Sequence, residues 1–194
     1  MIIDRAFGLT LLSFFTGTIT GFIAVYSNQS IQHRMLVLLQ YRVVTPIQGA
    51  ISVSPTAAFL LIAGNNTLPV LLSFIYPILL GKIRWTPPLT EKRLNMLLVS
   101  FSTLCGFMIG FFNLGGTLTV AYMLGGQTLL NRLVAASWIH APLEFFFVLL
   151  GVAEPLRLVG RKDILNAVRK DSAVIFICVI GLLLSAAIEI HSGL

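Results

Sequence analysis

The chain has 194 residues, 57% of them hydrophobic and 10% charged, with a formal net charge of +6 and a mean hydropathy of +0.93. Soluble domains are about 45–50% apolar and about 25% charged, so this composition excludes an ordinary soluble domain and indicates a single all-α, polytopic membrane bundle. The positive charge does not indicate a nucleic-acid partner: the basic residues sit in short segments between apolar runs, where they meet membrane lipids and fix orientation.

After Asp4 and Arg5 an uncharged run over 6–26 predicts a first span, longer than the apolar core of a signal peptide and so read as a retained anchor. Residues 27–56 mix His33, Arg34, Gln40 and Arg42 with apolar residues, and Pro46, Gly49 and Pro55 interrupt them. That pattern predicts an amphipathic surface or re-entrant helix. A second span is expected over 56–81. Gly64, Asn65, Asn66 and Pro69 are poor helix-interior residues and predict a kink or break near Asn65, turned toward the bundle interior.

The basic loop 82–93 carries Trp85 and a Pro87–Pro88 stop, and Thr90 is placed to cap a third span over 94–123. Gly106 and Gly110 form a GxxxG pair for close helix packing, either inside the bundle or across a homodimer. Asn113 is the strongly polar side chain of this span. A short polar loop at 125–131 leads to a fourth span over 133–153, which holds His140, Pro142 and Glu144. Glu154 and Arg157, three residues apart, predict an interfacial ion pair at the start of a charged amphipathic segment. A fifth span over 172–190 ends in Glu189 and His191. Cys105 and Cys178 fall within apolar spans and read as unpaired buried thiols.

Five spans put the termini on opposite sides. Ten of the 13 Lys and Arg residues then fall on the N-terminal side, and Arg34, Arg42 and Arg132 on the other. By the positive-inside rule the N-terminus is cytoplasmic and the C-terminus outside a plasma membrane.

Asn65, Asn66, Asn113, His140, Glu144 and Glu189 are the polar groups of the spans. Such groups prefer each other to lipid, which predicts a shared interior cluster. His140 and Glu144, four apart, share one helix face. Pro142 leaves two placements open. Either the helix runs through and is kinked, with the pair deep, or it begins near Pro142, with Glu144 at a positive helix N-terminus. The pair suits a hydrogen-bonded clasp between helices or a proton or cation relay. As metal ligands the two are one short of the usual three, and His33, His191 and Glu189 are not close in sequence. No HExxH, GxSxG or Walker-type loop is present, so neither an enzyme nor a cofactor or metal is expected.

Three stretches resemble the stage II sporulation protein M family of integral membrane proteins. They are FLLIAGNNTLPVLLSFIYPILLG (Phe59 to Gly81), WIHAPLEFFFVLLGVAEPLRLVG (Trp138 to Gly160) and SAAIEIHSGL (Ser185 to Leu194). His140 and Glu144 match the family's His-Gly-x-x-Glu motif, with Ala141 where Gly is usual, and Glu154-Pro155 replaces the small residues before Leu-Arg. The resemblance covers roughly the last two-thirds of the chain. It implies a multi-span plasma-membrane protein with no enzymatic activity of its own. The family's namesakes anchor a cell-envelope partner complex that remodels peptidoglycan during engulfment, and their architecture is thought similar to ABC-transporter permease domains. The resemblance therefore implies a membrane scaffold or permease-like module that handles lipids or other amphiphiles.

Overall fold

The computed structural model describes residues 4–41, 45–82, 89–161 and 163–191. Arg42, Arg84, Trp85, Pro87, Pro88 and Lys162, on which parts of the sequence reading fall, lie outside the described residues. The described chain is helical, with no strand among the described residues. In order it forms α1 (Arg5–Ser27), α2 (Gln29–Leu39), α3 (Thr45–Val53), α4 (Pro55–Lys82) and α5 (Glu91–Ile109). A π-helical segment (Gly110–Gly116) runs on into α6 (Thr117–Ser137), followed by α7 (His140–Val152), α8 (Glu154–Arg157), α9 (Ile164–Lys170) and α10 (Ser172–His191). Four helices are long and apolar enough to cross a membrane: α1, α4, the continuous run Glu91–Ser137, and α10.

Polar caps fix where these helices start. Asp4 accepts from the Phe7 amide at 3.0 Å, Asn28 from the Ser30 and Ile31 amides, and Thr90 from the Arg93 amide. α1 and α5 then run parallel along a glycine seam. A Cβ on Gly17 would lie 2.0 Å from the Phe107 carbonyl oxygen, and one on Gly110 would lie 2.0 Å from that of Phe14. Gly106 sits against Thr10 in the same way. The GxxxG pair Gly106 and Gly110 is therefore covered by α1 of the same chain, and is not an open face for a second copy.

α4, α7 and α10 make the other half of the bundle. α4 and α7 run the same way, with Val70 against Gly151, and α10 runs against both. Ala186 packs with Ile62 and Ala63, and Gly181 faces Phe147. The start of α1, the end of α4, the start of α5 and the start of α10 accordingly gather at one end of the bundle, which α8 and α9 cover. Val148, Leu149, Leu150 and Val152 are 0–4% exposed, so the second half of α7 is enclosed on all sides, whereas Leu143 in its first half is 40% exposed. A buried helix is apolar all round for the same compositional reason as a lipid-facing one.

That equivalence explains the main correction. No single helix covers 133–153: α6 ends at Ser137, Trp138 and Ile139 form a turn, and α7 begins at His140. At 1.5 Å per residue α7 is only about 20 Å long, and protein takes up the apolar side chains of its second half. The third span is interrupted at Gly126, close to the expected end near 123, but 127–131 is helical and not a loop. The helix bends at Gly126 (φ 58°, ψ −155°), and the Gln127 side chain donates to Asn131 across the next turn at 2.8 Å. α4, expected to kink or break near Asn65, runs as one helix from Pro55 to Lys82 through Asn65, Asn66, Pro69 and Pro77. Within it the Ser73 hydroxyl donates to the Pro69 carbonyl at 2.8 Å and Thr67 donates to Ala63, each one turn back along the helix.

Candidate functional site

Two polar constellations interrupt the apolar bundle, one around the start of α7 and one just past its end. At the start, His140 opens the helix and is 8% exposed, and its backbone carbonyl accepts from the Ser185 hydroxyl at 2.9 Å. That bond fixes the depth of the helix start. Ser185 lies about 20 Å along α10 from Ser172 and about 9 Å short of His191, so α7 begins inside the bundle but nearer that second end. Pro142 stands in the first turn, where its missing N–H costs no helix bond. Of the two placements open from sequence, the helix thus begins near Pro142, yet its start is not at the bundle's end.

One turn further on, the Asn66 side chain of α4 hydrogen-bonds the Glu144 carboxyl, and the Glu189 carboxyl of α10 stands within electrostatic reach of it. Three helices therefore meet at Asn66, Glu144 and Glu189. His140 Nδ1 is buried without a hydrogen-bond partner. Asn65 is exposed on another side of α4, and Asn113 is exposed on the outside of the π-helical segment, so neither joins the group. Among the described residues no three His, Cys, Asp or Glu side chains are grouped to hold a metal ion.

At the other end of α7, Arg157 binds two carboxylates at once. Its Nε donates to Asp4 Oδ2 at 2.9 Å and its Nη1 to Glu154 Oε2 at 2.9 Å. The arrangement links α8 to the cap of α1. The pair Glu154–Arg157 is no surface pair: Glu154 is wholly buried, Arg157 13% exposed and Asp4 34% exposed at their side chains. Asp4 was not singled out as a site residue from sequence. Its signal would have been a lone carboxylate at an N-cap on the side where Arg157 also falls, but nothing in the spacing joins residues 153 positions apart.

The electrostatics of the three carboxyls differ. Burial alone would raise Asp4, but Arg157 and the Phe7 amide outweigh it and hold Asp4 below the usual carboxylate range. Burial pushes Glu154 up to about 7, the Asp171 carboxyl adds in the same direction, and Arg157 pulls against both. One guanidinium cannot neutralise two carboxylates. Asp4 is partly hydrated and stays ionised, so the surplus falls on the buried Glu154, whose raised value leaves it partly protonated near neutral pH and whose Oε1 has no well-formed hydrogen bond.

A third polar contact joins the halves between these sites. Ser102 donates to the Val152 carbonyl at 2.6 Å and lies 3.2 Å from the Thr10 hydroxyl, with both side chains fully buried. Cys105 and Cys178 are free thiols.

The chain matches no known family, curated protein or solved structure. The functional reading therefore rests on its own residues.

Proposed function

We propose that this chain is a non-enzymatic plasma-membrane module of the stage II sporulation protein M kind, permease-like in construction, that handles lipids or other amphiphiles. The observation that carries the reading is the shortened helix α7. Its second half is enclosed by its neighbours, it begins about 9 Å short of the end of α10, and it has Asn66, Glu144 and Glu189 gathered near its start. Transporters of several kinds build binding sites from such discontinuous helices, with polar groups held at membrane depth. α1, α4, α5 and α10 cross the bilayer in this reading, and α7 is a short fourth crossing in chain order. The N-terminus is cytoplasmic and the C-terminus outside, in keeping with the distribution of Lys and Arg. The polar group then opens toward the outer face, above the start of α7, where the headgroup of an amphiphile enters while its chain stays in lipid. Homodimers and cell-envelope protein partners belong to the same proposal.

A second reading has one specific support. Glu144 and Glu189 are two carboxyls within electrostatic reach of each other, an arrangement suited to holding a proton or a cation. In it, the chain is a proton- or cation-coupled secondary transporter. Purified protein in liposomes separates the two. Translocation of a fluorescent phospholipid that is independent of pH and cation gradients supports the first reading. Flux that needs a gradient and is abolished by Glu144→Gln supports the second. Absence of both, in vesicles where the fold is intact, refutes the two together.

A further inference from the structure

Helix α2 carries a feature that neither constellation uses. Met35, 3% exposed, reaches Gly116 and, with Ile31, Leu36 and Leu39, seats α2 on Val25, Val120, Phe111 and Phe112. At about 100° per residue the opposite face then presents His33, Val37 and Tyr41 along one ridge and Arg34 and Leu38 along the next. These five side chains line an open groove of about 450 Å³. Tyr41 is 73% exposed and Val37 is 38% exposed, so none of the described residues covers it.

The charge around this groove is one-sided. No Asp or Glu occurs between Asp4 and Glu91, and none occurs in the π-helical segment or α6. Every element on which α2 packs therefore lacks a carboxylate to neutralise Arg34. α2 starts one residue beyond the end of α1, a helix of membrane-crossing length, and so lies where headgroups begin. A basic pair beside an apolar and aromatic wall, at that level, matches a phosphate with an attached chain. A second copy of this chain fits less well, because the exposed carboxylates Glu91 and Asp163 lie at the opposite end of the bundle.

We propose that the outer face of α2 binds an anionic phospholipid, with its phosphate on Arg34 and His33 and its acyl chain along Val37, Leu38 and Tyr41. This site stands apart from the α7 cluster and does not depend on how that cluster works.

The test uses the full-length protein in detergent, incubated with equal amounts of phosphatidylglycerol and phosphatidylcholine, with retained lipid counted by native mass spectrometry. Preferential retention of phosphatidylglycerol is expected. Arg34→Gln should lower it roughly fivefold, the worth of one basic residue near an anionic surface. Arg132→Gln, a basic residue of α6 outside the groove, should leave it unchanged. Leu38→Asn, a second variant that keeps both basic side chains, should also weaken retention. Three results would overturn the proposal: equal retention of both lipids by the parent protein, loss with Arg132→Gln as large as with Arg34→Gln, or displacement of the lipid by glycerol phosphate at equal concentration, which marks a site for soluble anions. Cross-linking of Arg34→Cys to a second copy in place of lipid would overturn it as well.

Discussion

Replacing Glu154 by glutamine should stabilise the protein, although it removes one partner of an ion pair. In the folded chain this carboxyl is raised from 4.5 to about 7 by burial, so the folded state holds its proton more tightly than the unfolded state does. Its favourable contribution is complete below 4.5 and is lost as the pH rises to about 7. At 1.36 kcal/mol per pH unit that interval amounts to about 3 kcal/mol. Asp4 acts with the opposite sign in a lower window, because its contribution is present at neutral pH and lost as the pH falls through its lowered value. Glutamine keeps a carbonyl to accept from Arg157 and offers an amide N–H on the side of Asp171, but it cannot ionise. Thermal unfolding in detergent, followed by circular dichroism between pH 4.5 and 8, should show a parent protein that loses stability across 4.5–7 and a variant that does not. The two should match at the acid end. At pH 8 the variant should melt higher by about 6–12 °C, taking roughly 2–4 °C per kcal/mol for a chain of this size. A variant that melts lower than the parent at every pH would refute the reasoning, because Glu154 would then be an ionised and stabilising partner of Arg157.

Gly110→Ala should cost about 1–3 kcal/mol, because its Cβ would stand 2.0 Å from the Phe14 carbonyl oxygen, whereas Gly8→Ala, with nothing within 4 Å, should be neutral or slightly stabilising. Melting temperatures of the two variants make the comparison. Ser102→Ala strips the Val152 carbonyl and the Thr10 hydroxyl of a buried partner and should cost about 1–3 kcal/mol, read in the same assay. Gly126→Ala places a side chain on a backbone at φ 58° and ψ −155° and should cost about 1–3 kcal/mol or straighten α6. The straightening would be read as a changed distance between spin labels at Thr117 and Val134.

Helix ends marked by charge and caps could be read directly. The apolar runs 6–26, 56–81 and 172–190 fall within a residue or so of α1, α4 and α10, because Asp4, Pro55, Lys82 and Asp171 bound them in sequence. The interior of the chain was harder. HAPLEFFFVLLGV is apolar enough for lipid, and hydropathy alone does not register that neighbouring helices enclose its second half. Gly126 could have marked a loop or a bend, and its backbone conformation decides for the bend. The proline and asparagine residues of α4 carry low helix propensity, but burial of Val70, Phe74 and Pro77 against neighbouring helices overrides a deficit of under 1 kcal/mol per asparagine and about 3 kcal/mol per proline. For the sites, Glu154 with Arg157 was visible as a local spacing. Asp4 came to them only through the parallel packing of α1 on α5, which brings the first helix beside the end of α7. Asn66, Glu144 and Glu189 were candidates together with Asn65 and Asn113, and helix rotation alone separates the first group from the second.

The central claim is that Asn66, Glu144 and Glu189 open to the outer face of the membrane above the start of α7. It is tested most directly by single cysteines in a background where Cys105 and Cys178 are replaced by alanine, probed with a membrane-impermeant maleimide on intact cells. Asn66→Cys and Glu189→Cys should react from outside, while Val148→Cys, in the enclosed part of α7, should stay unlabelled until the protein is denatured. If Asn66→Cys and Glu189→Cys are protected on intact cells and react only in inverted membrane vesicles, or not at all before denaturation, the account is contradicted.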